Sequence, residues 1–251
     1  MINVAVSGGM GRLGSVIVKA VSNASDMRLS GIYSPSHAGK TFEGITIEGD
    51  PENIAADVVV ECAHPNIVME NLKRWRSKEM SAVVGTSGFT NERIQEVKSF
   101  WGENEAGCLI VPNFSIGAVL MMRFAEIAAA YFESAEIIER HEDTKPDAPS
   151  GTALATAMRM GKYRKEAEEK SNEIVKGARG GLTSGIRVHS LRMKGLLSDQ
   201  EVAFSNAGET FSISHRSTSY ESFANGALVA IRYAQKIKGV LVGLDAALGM
   251  Q

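Results

Sequence analysis

Within residues 139–153 the chain concentrates a histidine, His141, a lysine, Lys145, and the pair Pro149-Ser150 ahead of a helical run. Imidazole exchanges protons near neutral pH, and an ammonium group can donate one. The amides of Gly151 and Thr152 then fall at a helix amino terminus, where an anionic carboxylate is favoured. Together these residue types describe acid catalysis on an anionic substrate.

A second cluster lies near the start. Gly8-Gly9-Met10-Gly11-Arg12-Leu13-Gly14 has the spacing GxxGxxG between an expected strand and an expected helix. Missing β-carbons there let a pyrophosphate approach backbone amides. About twenty residues on, where a ribose is normally read, no acidic residue closes the strand. Tyr33, Ser34, Pro35, Ser36, His37 and Lys40 stand there instead, so nothing repels a 2′-phosphate, and NADPH is as acceptable as NADH. The remaining histidines, His64, His189 and His215, are scattered without a cysteine or carboxylate at ligand spacing, so no metal is expected. His64 reads best as a loop cap.

These groups need a frame. Residues 2–7, 29–33, 58–62, 81–85 and 108–111 read as buried strands alternating with helices over 12–22, 68–79 and 91–101, the pattern of a parallel sheet. After Asn113 the pattern changes to a long apolar helix over 116–132, a strand over 135–141, the polar loop 142–150 and a helix over 152–170. Strands over 187–192, 201–205 and 210–216 follow, the last two as a hairpin, giving with 135–141 a four-stranded, mostly antiparallel or mixed sheet. Residues 176–185, with four glycines, read as a mobile loop, and 220–238 as a helix returning to the first domain. The charge run over 162–170 reads as a solvated helix face. The expected fold is α/β: a Rossmann-type dinucleotide-binding domain from 1–112 plus 220–251, and a smaller α+β domain over 113–219 for substrate binding and oligomerisation. Hinges near 111–114 and 219–223 would close a cleft between them.

Composition is consistent with this. The 251 residues are 44% hydrophobic and 22% charged, with a formal charge of −2. No basic excess marks a nucleic-acid partner, and no apolar run approaches a membrane span. Cys62 and Cys108 sit in apolar runs, which favours a reducing compartment. With no signal-type start, the expected location is cytoplasmic.

The segment Lys145-x-Asp147-Ala148-Pro149-Ser150-Gly151-Thr152 resembles the signature of the 4-hydroxy-tetrahydrodipicolinate reductase family, also called dihydrodipicolinate reductase. The blocks 4–14, 85–89, 113–117, 189–192 and 223–227 match it in order, so the likeness runs nearly end to end. The resemblance implies hydride reduction of a cyclic imine-type dicarboxylate with loss of water, giving tetrahydrodipicolinate on the diaminopimelate route to lysine. It also implies a homotetramer joined through second-domain sheets. Carried over by motif, Gly8, Gly9, Met10, Gly11, Arg12 and Leu13, with Ser34, hold the nucleotide. Gly85, Thr86, Ser87, Val111, Pro112, Asn113 and Phe114 line the nicotinamide side, and Gly151 and Thr152 bind a substrate carboxylate. His141 and Lys145 are the proton-transfer groups.

Three departures stand out. Glu142 replaces the second histidine that many relatives carry at a substrate-binding position, and an ionised Glu142 would repel a dianion. Tyr33 and Ser34 stand where relatives often have an acidic and a basic residue, and residues 197–200 depart from the usual end of their block. Two other readings share the architecture: another two-domain NAD(P)-dependent dehydrogenase, of aspartate or sugar type, and a non-catalytic NADP sensor.

Overall fold

The computed structural model describes residues 1–164 and 172–250, which divide into two compact units. Unit 1 comprises Met1–Ile116 and the segment from Tyr220 onward, and unit 2 is Gly117–Ser219.

In unit 1 the elements run β1 (Ile2–Ser7), α1 (Arg12–Ser22), β2 (Met27–Tyr33), β3 (Thr41–Phe42), β4 (Ile45–Glu48), β5 (Val58–Glu61), α2 (Val68–Ser77), β6 (Ser81–Val84), α3 (Asn91–Trp101) and β7 (Cys108–Ile110). The chain then passes through α4 (Ile116–Ala128), β8 (Ser134–His141), α5 (Gly151–Gly161), β9 (Gly181–Thr183), β10 (Ile186–Arg192), β11 (Ser198–Asn206) and β12 (Glu209–Ser217). It returns with α6 (Ala224–Ala234) and β13 (Val240–Val242).

The first sheet has the order β13-β7-β6-β5-β1-β2-β4-β3, parallel throughout except for the β3/β4 pair. Its central strands are mostly apolar because both faces are covered. Val58, Val59 and Val60 have no exposed surface. Leu72 and Trp75 of α2 and Val97 and Trp101 of α3 pack on one face. α6 packs on β5, β6 and β7 and also against α1. The sheet has eight strands rather than the five read from sequence. β3, β4 and β13 have two to four residues each, too short for a periodic signal.

The second sheet, β12-β11-β8-β10-β9, is mixed as expected, but it has five strands rather than four. β8 runs parallel to β10 and antiparallel to β11. The additional strand, β9, lies inside the glycine-rich segment read as a mobile loop, where Leu182 pairs with Arg187. Ile137, Val188, Val202 and Phe204 on one face pack against Ala125 of α4, Ala129 just past its end, and Ala153, Ala157 and Met160 of α5. Strand alternation sends Glu136, Arg140, Asp199 and Glu201 to the opposite face, where Arg140 pairs with Asp199 at 2.9 Å and Glu201 at 3.2 Å. The helix expected to reach residue 170 ends at Gly161, where an added Cβ would lie 2.5 Å from the Ser184 carbonyl oxygen. Residues 165–171, and with them most of the expected helix extension and charge run, lie outside the described residues.

Candidate active site

The glycine loop of unit 1 joins β1 to α1. Gly8 adopts φ +74°, and a Cβ on it would lie 2.7 Å from the Cys62 carbonyl; a Cβ on Gly14 would lie 2.2 Å from the Gly8 carbonyl oxygen. Only glycine fits either position, and the result is a tight loop folded over the head of α1. Gly11 caps that helix without a side-chain hydrogen bond, and no acidic residue occupies its first turn. An anion is therefore electrostatically favoured there. Arg12 at the helix start donates to the Tyr220 hydroxyl at 3.1 Å.

The cradle lies at a topological switch point. β1 has β2 on one side and β5 on the other, and in open parallel sheets ligands bind beyond the carboxyl ends of strands at such a point. The other sequence-assigned residues of unit 1 converge nearby. A Cβ on Gly85 would meet the Phe114 ring at 2.5 Å and Leu13 at 3.2 Å. Val111 is buried, its amide bonded to the Val84 carbonyl at 2.8 Å, and Thr86 donates to the Ala63 carbonyl at 2.9 Å. Asn113 accepts from the Ser115 amide at 2.8 Å, while Pro112 and Ser87 are exposed. The glycine loop and the head of α1, with no acidic residue in its first turn, fit the phosphates of a dinucleotide.

At the end of β2, Ser34 is buried, and its hydroxyl and that of Ser36 each lie 3.0 Å from His37 Nδ1. Lys40 is exposed. His64 caps its own loop, accepting from the Asn66 amide at 3.2 Å.

In unit 2 the register aligns Arg192 at the end of β10 with His141 at the end of β8. Between them lies Glu139, two residues before His141 on the same strand face and with no exposed surface. His141 Nδ1 is 2.5 Å from Glu139 Oε2, and Arg192 grips the same carboxylate at 2.9 and 3.0 Å. Burial opposes ionisation of Glu139. The hydrogen bonds from His141, Arg192 and Ser190 outweigh it and bring the pKa down to about 2. An ionised carboxylate only accepts, so Nδ1 of His141 carries a proton and Nε2 is the nitrogen left for exchange with a ligand.

The loop beyond β8 is tied to this group, because Arg192 also donates to the Asp147 carbonyl at 2.6 Å. Lys145 pairs with the Asp147 carboxylate at 2.8 Å, an interaction that holds the Asp147 pKa down. Ser150 caps α5 by accepting from the Ala153 amide at 3.2 Å. Gly151 is exposed, and a Cβ built there meets nothing within 4 Å. Thr152 and Glu142 are half-buried around the same loop.

The structure thus places His141, Lys145, Gly151 and Thr152 on one strand end, one loop and one helix head. Glu139 and Arg192 are site residues that the sequence reading missed or left unassigned; the i, i+2 spacing of Glu139 and His141 on a strand was the available signal for the former. His189 lies elsewhere, paired with Glu136 at 2.6 Å. His215 is packed against Gly117. No cluster of metal-ligating side chains occurs among the described residues.

A doubly wound nucleotide-binding unit joined to a unit built on a mixed sheet defines a two-domain α/β oxidoreductase. The chain belongs to the dihydrodipicolinate reductase family: the family's N-terminal model matches residues 2–114 and its C-terminal model residues 117–248. It is 41% identical to the 4-hydroxy-tetrahydrodipicolinate reductase of Cutibacterium acnes over the full length of both chains. It is 43% identical to that of Nocardia farcinica over 97% of each. A solved structure of a dipicolinate-bound dihydrodipicolinate reductase from Paenisporosarcina sp. TG-14 is 34% identical, with a TM-score of 0.85 over 98% of this chain and 99% of that one.

Proposed function

We propose that this protein reduces 4-hydroxy-tetrahydrodipicolinate to tetrahydrodipicolinate with loss of water, in the diaminopimelate route to lysine. One NAD(P)H and one proton are consumed, and one NAD(P)⁺ and one water are released. The observation that carries the reading is the convergence of His141, Lys145 and the head of α5 in a chain that matches the family from end to end.

The nicotinamide, when bound by the glycine loop and the 85–87 and 111–114 segments, supplies the hydride. The chain's own residues do the rest. The amides of Gly151 and Thr152 bind a substrate carboxylate, and Lys145 leaves Asp147 to protonate the ring carbon that becomes electron-rich after reduction. His141, held in one orientation by Glu139, exchanges a proton through Nε2. Glu142 stands at the edge of this site where many relatives carry a histidine.

Both NADPH and NADH are accepted, since Ser36 and Lys40 lie exposed beyond β2 and no carboxylate closes that strand. We assign a homotetramer joined through the unit 2 sheets, a division of labour in which unit 1, including residues 113–116, binds nucleotide while unit 2 binds substrate, and a cytoplasmic location. No helix of the described residues is long and apolar enough to cross a membrane.

Single-turnover oxidation of NADPH and of NADH with freshly generated 4-hydroxy-tetrahydrodipicolinate tests the reading. Rapid loss of reduced-nicotinamide absorbance is expected. Oxidation of an amino acid or alcohol instead would indicate a dehydrogenase of the same architecture, and nucleotide binding without turnover would indicate a sensor.

A further inference from the structure

Glu61 ends β5 at the switch point, opposite Ser7 at the end of β1 and Val84 at the end of β6. It has no exposed surface, and no lysine or arginine forms an ion pair with it among the described residues. Isolated carboxyl groups are rarely buried at a sheet centre, because desolvation is costly unless every lone pair is used. Here both oxygens are used. The Ala63 amide donates to Oε1 at 2.9 Å, and Trp75 Nε1 of α2 donates to Oε2 at 2.8 Å. Ser7 and Asn71 complete the network.

The backbone of Glu61 is equally engaged. Its carbonyl accepts from the Gly85 amide at 2.9 Å and the Thr86 hydroxyl at 3.3 Å. The next residue, Cys62, donates its amide to the Ser7 carbonyl at 2.9 Å. The Cys62 carbonyl is the group that a Cβ on Gly8 would strike. One residue therefore ties the turn at 62–63, the strand end before the glycine loop and the 85–86 loop into a single floor beneath the dinucleotide.

We propose that Glu61 is a positioning residue for nicotinamide-dinucleotide binding, its side chain acting through Ser7 and Ala63 to set the spacing of the loops that hold the cofactor. The assignment rests on the functional reading above and deepens it. Glu61 does not touch the reacting atoms, so affinity for the nucleotide depends on it and the chemical step does not.

The experiment is fluorescence titration of the full chain with NADPH and NADH, alongside binding of dipicolinate, a pyridine dicarboxylate, and the kcat/KM split. Glu61→Gln replaces one acceptor oxygen with an NH2 group that must face the Ala63 or the Trp75 N–H, donor against donor. It is expected to raise the nucleotide Kd about tenfold, with kcat at saturating nucleotide and the dipicolinate Kd within about twofold of wild type. Ser7→Ala removes one strand of the same network at small cost in packing and is expected to raise the nucleotide Kd about threefold; it decides the matter if Glu61→Gln does not fold. Folded variants that bind nucleotide as tightly as wild type, or that lose nucleotide and dipicolinate in equal measure, overturn the assignment. Wild type that binds neither nucleotide overturns the functional reading, and the assignment with it.

Discussion

Replacing Glu139 by glutamine tests the electrostatic centre of unit 2. The carboxyl is fully buried, and its pKa is brought from the ordinary 4.5 to about 2 by bonds that overcome the burial penalty. At about 1.4 kcal/mol per tenfold change in proton affinity, that fall corresponds to about 3 kcal/mol of preference for the ionised form in the folded chain. Because the folded pKa lies below the unfolded one, this stabilisation is complete above pH 4.5 and is lost as pH falls through about 2. Glu139→Gln is therefore expected to be less stable than wild type by about 3 kcal/mol at neutral pH, a gap that closes on acidification to about pH 2. Both tryptophans, Trp75 and Trp101, lie in unit 1, so their fluorescence does not report this event. Native-state amide exchange across β8, β10 and β11 reads it directly. A stability gap of the same size at neutral and acid pH would refute the reasoning, since the loss would then be one of packing alone. The same variant should depress kcat while leaving the nucleotide Kd within about twofold, because His141 loses its fixed tautomer.

Three further outcomes are expected. Lys145→Ala and His141→Ala should each lower kcat by about 10²-fold or more in steady-state assays while nucleotide binding is retained; unchanged turnover in both would remove the site assignment. Gly14→Ala forces a Cβ to within 2.2 Å of the Gly8 carbonyl oxygen, so fluorescence titration should show the loop displaced as a loss of about tenfold or more in affinity for both nicotinamides. Lys40→Ala should weaken NADPH and leave NADH unchanged, as measured by the ratio of their Michaelis constants; equal effects on the two would remove Lys40 from any 2′-phosphate contact.

How much of this could be read from the sequence varied with how local the signal was. β1, β5, β6 and β7 are mostly apolar runs, and the glycines between β1 and α1 mark their own turn. β13 is three residues whose strand character depends on β7 lying alongside, and β9 depends on β10 in the same way. Long-range pairing of that kind has no periodicity to find. In the site, the loop from Lys145 to Thr152 is contiguous and was legible. Arg192 reaches Glu139 only through a parallel register 53 residues away, and Glu61 becomes conspicuous only once Trp75 and Ser7 enclose it. Side chains whose partners come from neighbouring strands are decided by register, which composition and spacing do not encode.

The return of the chain to β7 also has a bearing on synthesis. Every strand of unit 2 is complete by residue 217, whereas the parallel sheet of unit 1 waits for residues 240–242. On the ribosome the inserted unit can thus finish folding inside a host that is still open at one margin. During that interval β7 presents an unzipped edge of the kind that recruits other chains. Chains truncated before residue 240 and released should accordingly show a protease-resistant unit 2 beside a cleavable unit 1, and equal resistance of both would contradict this order of events.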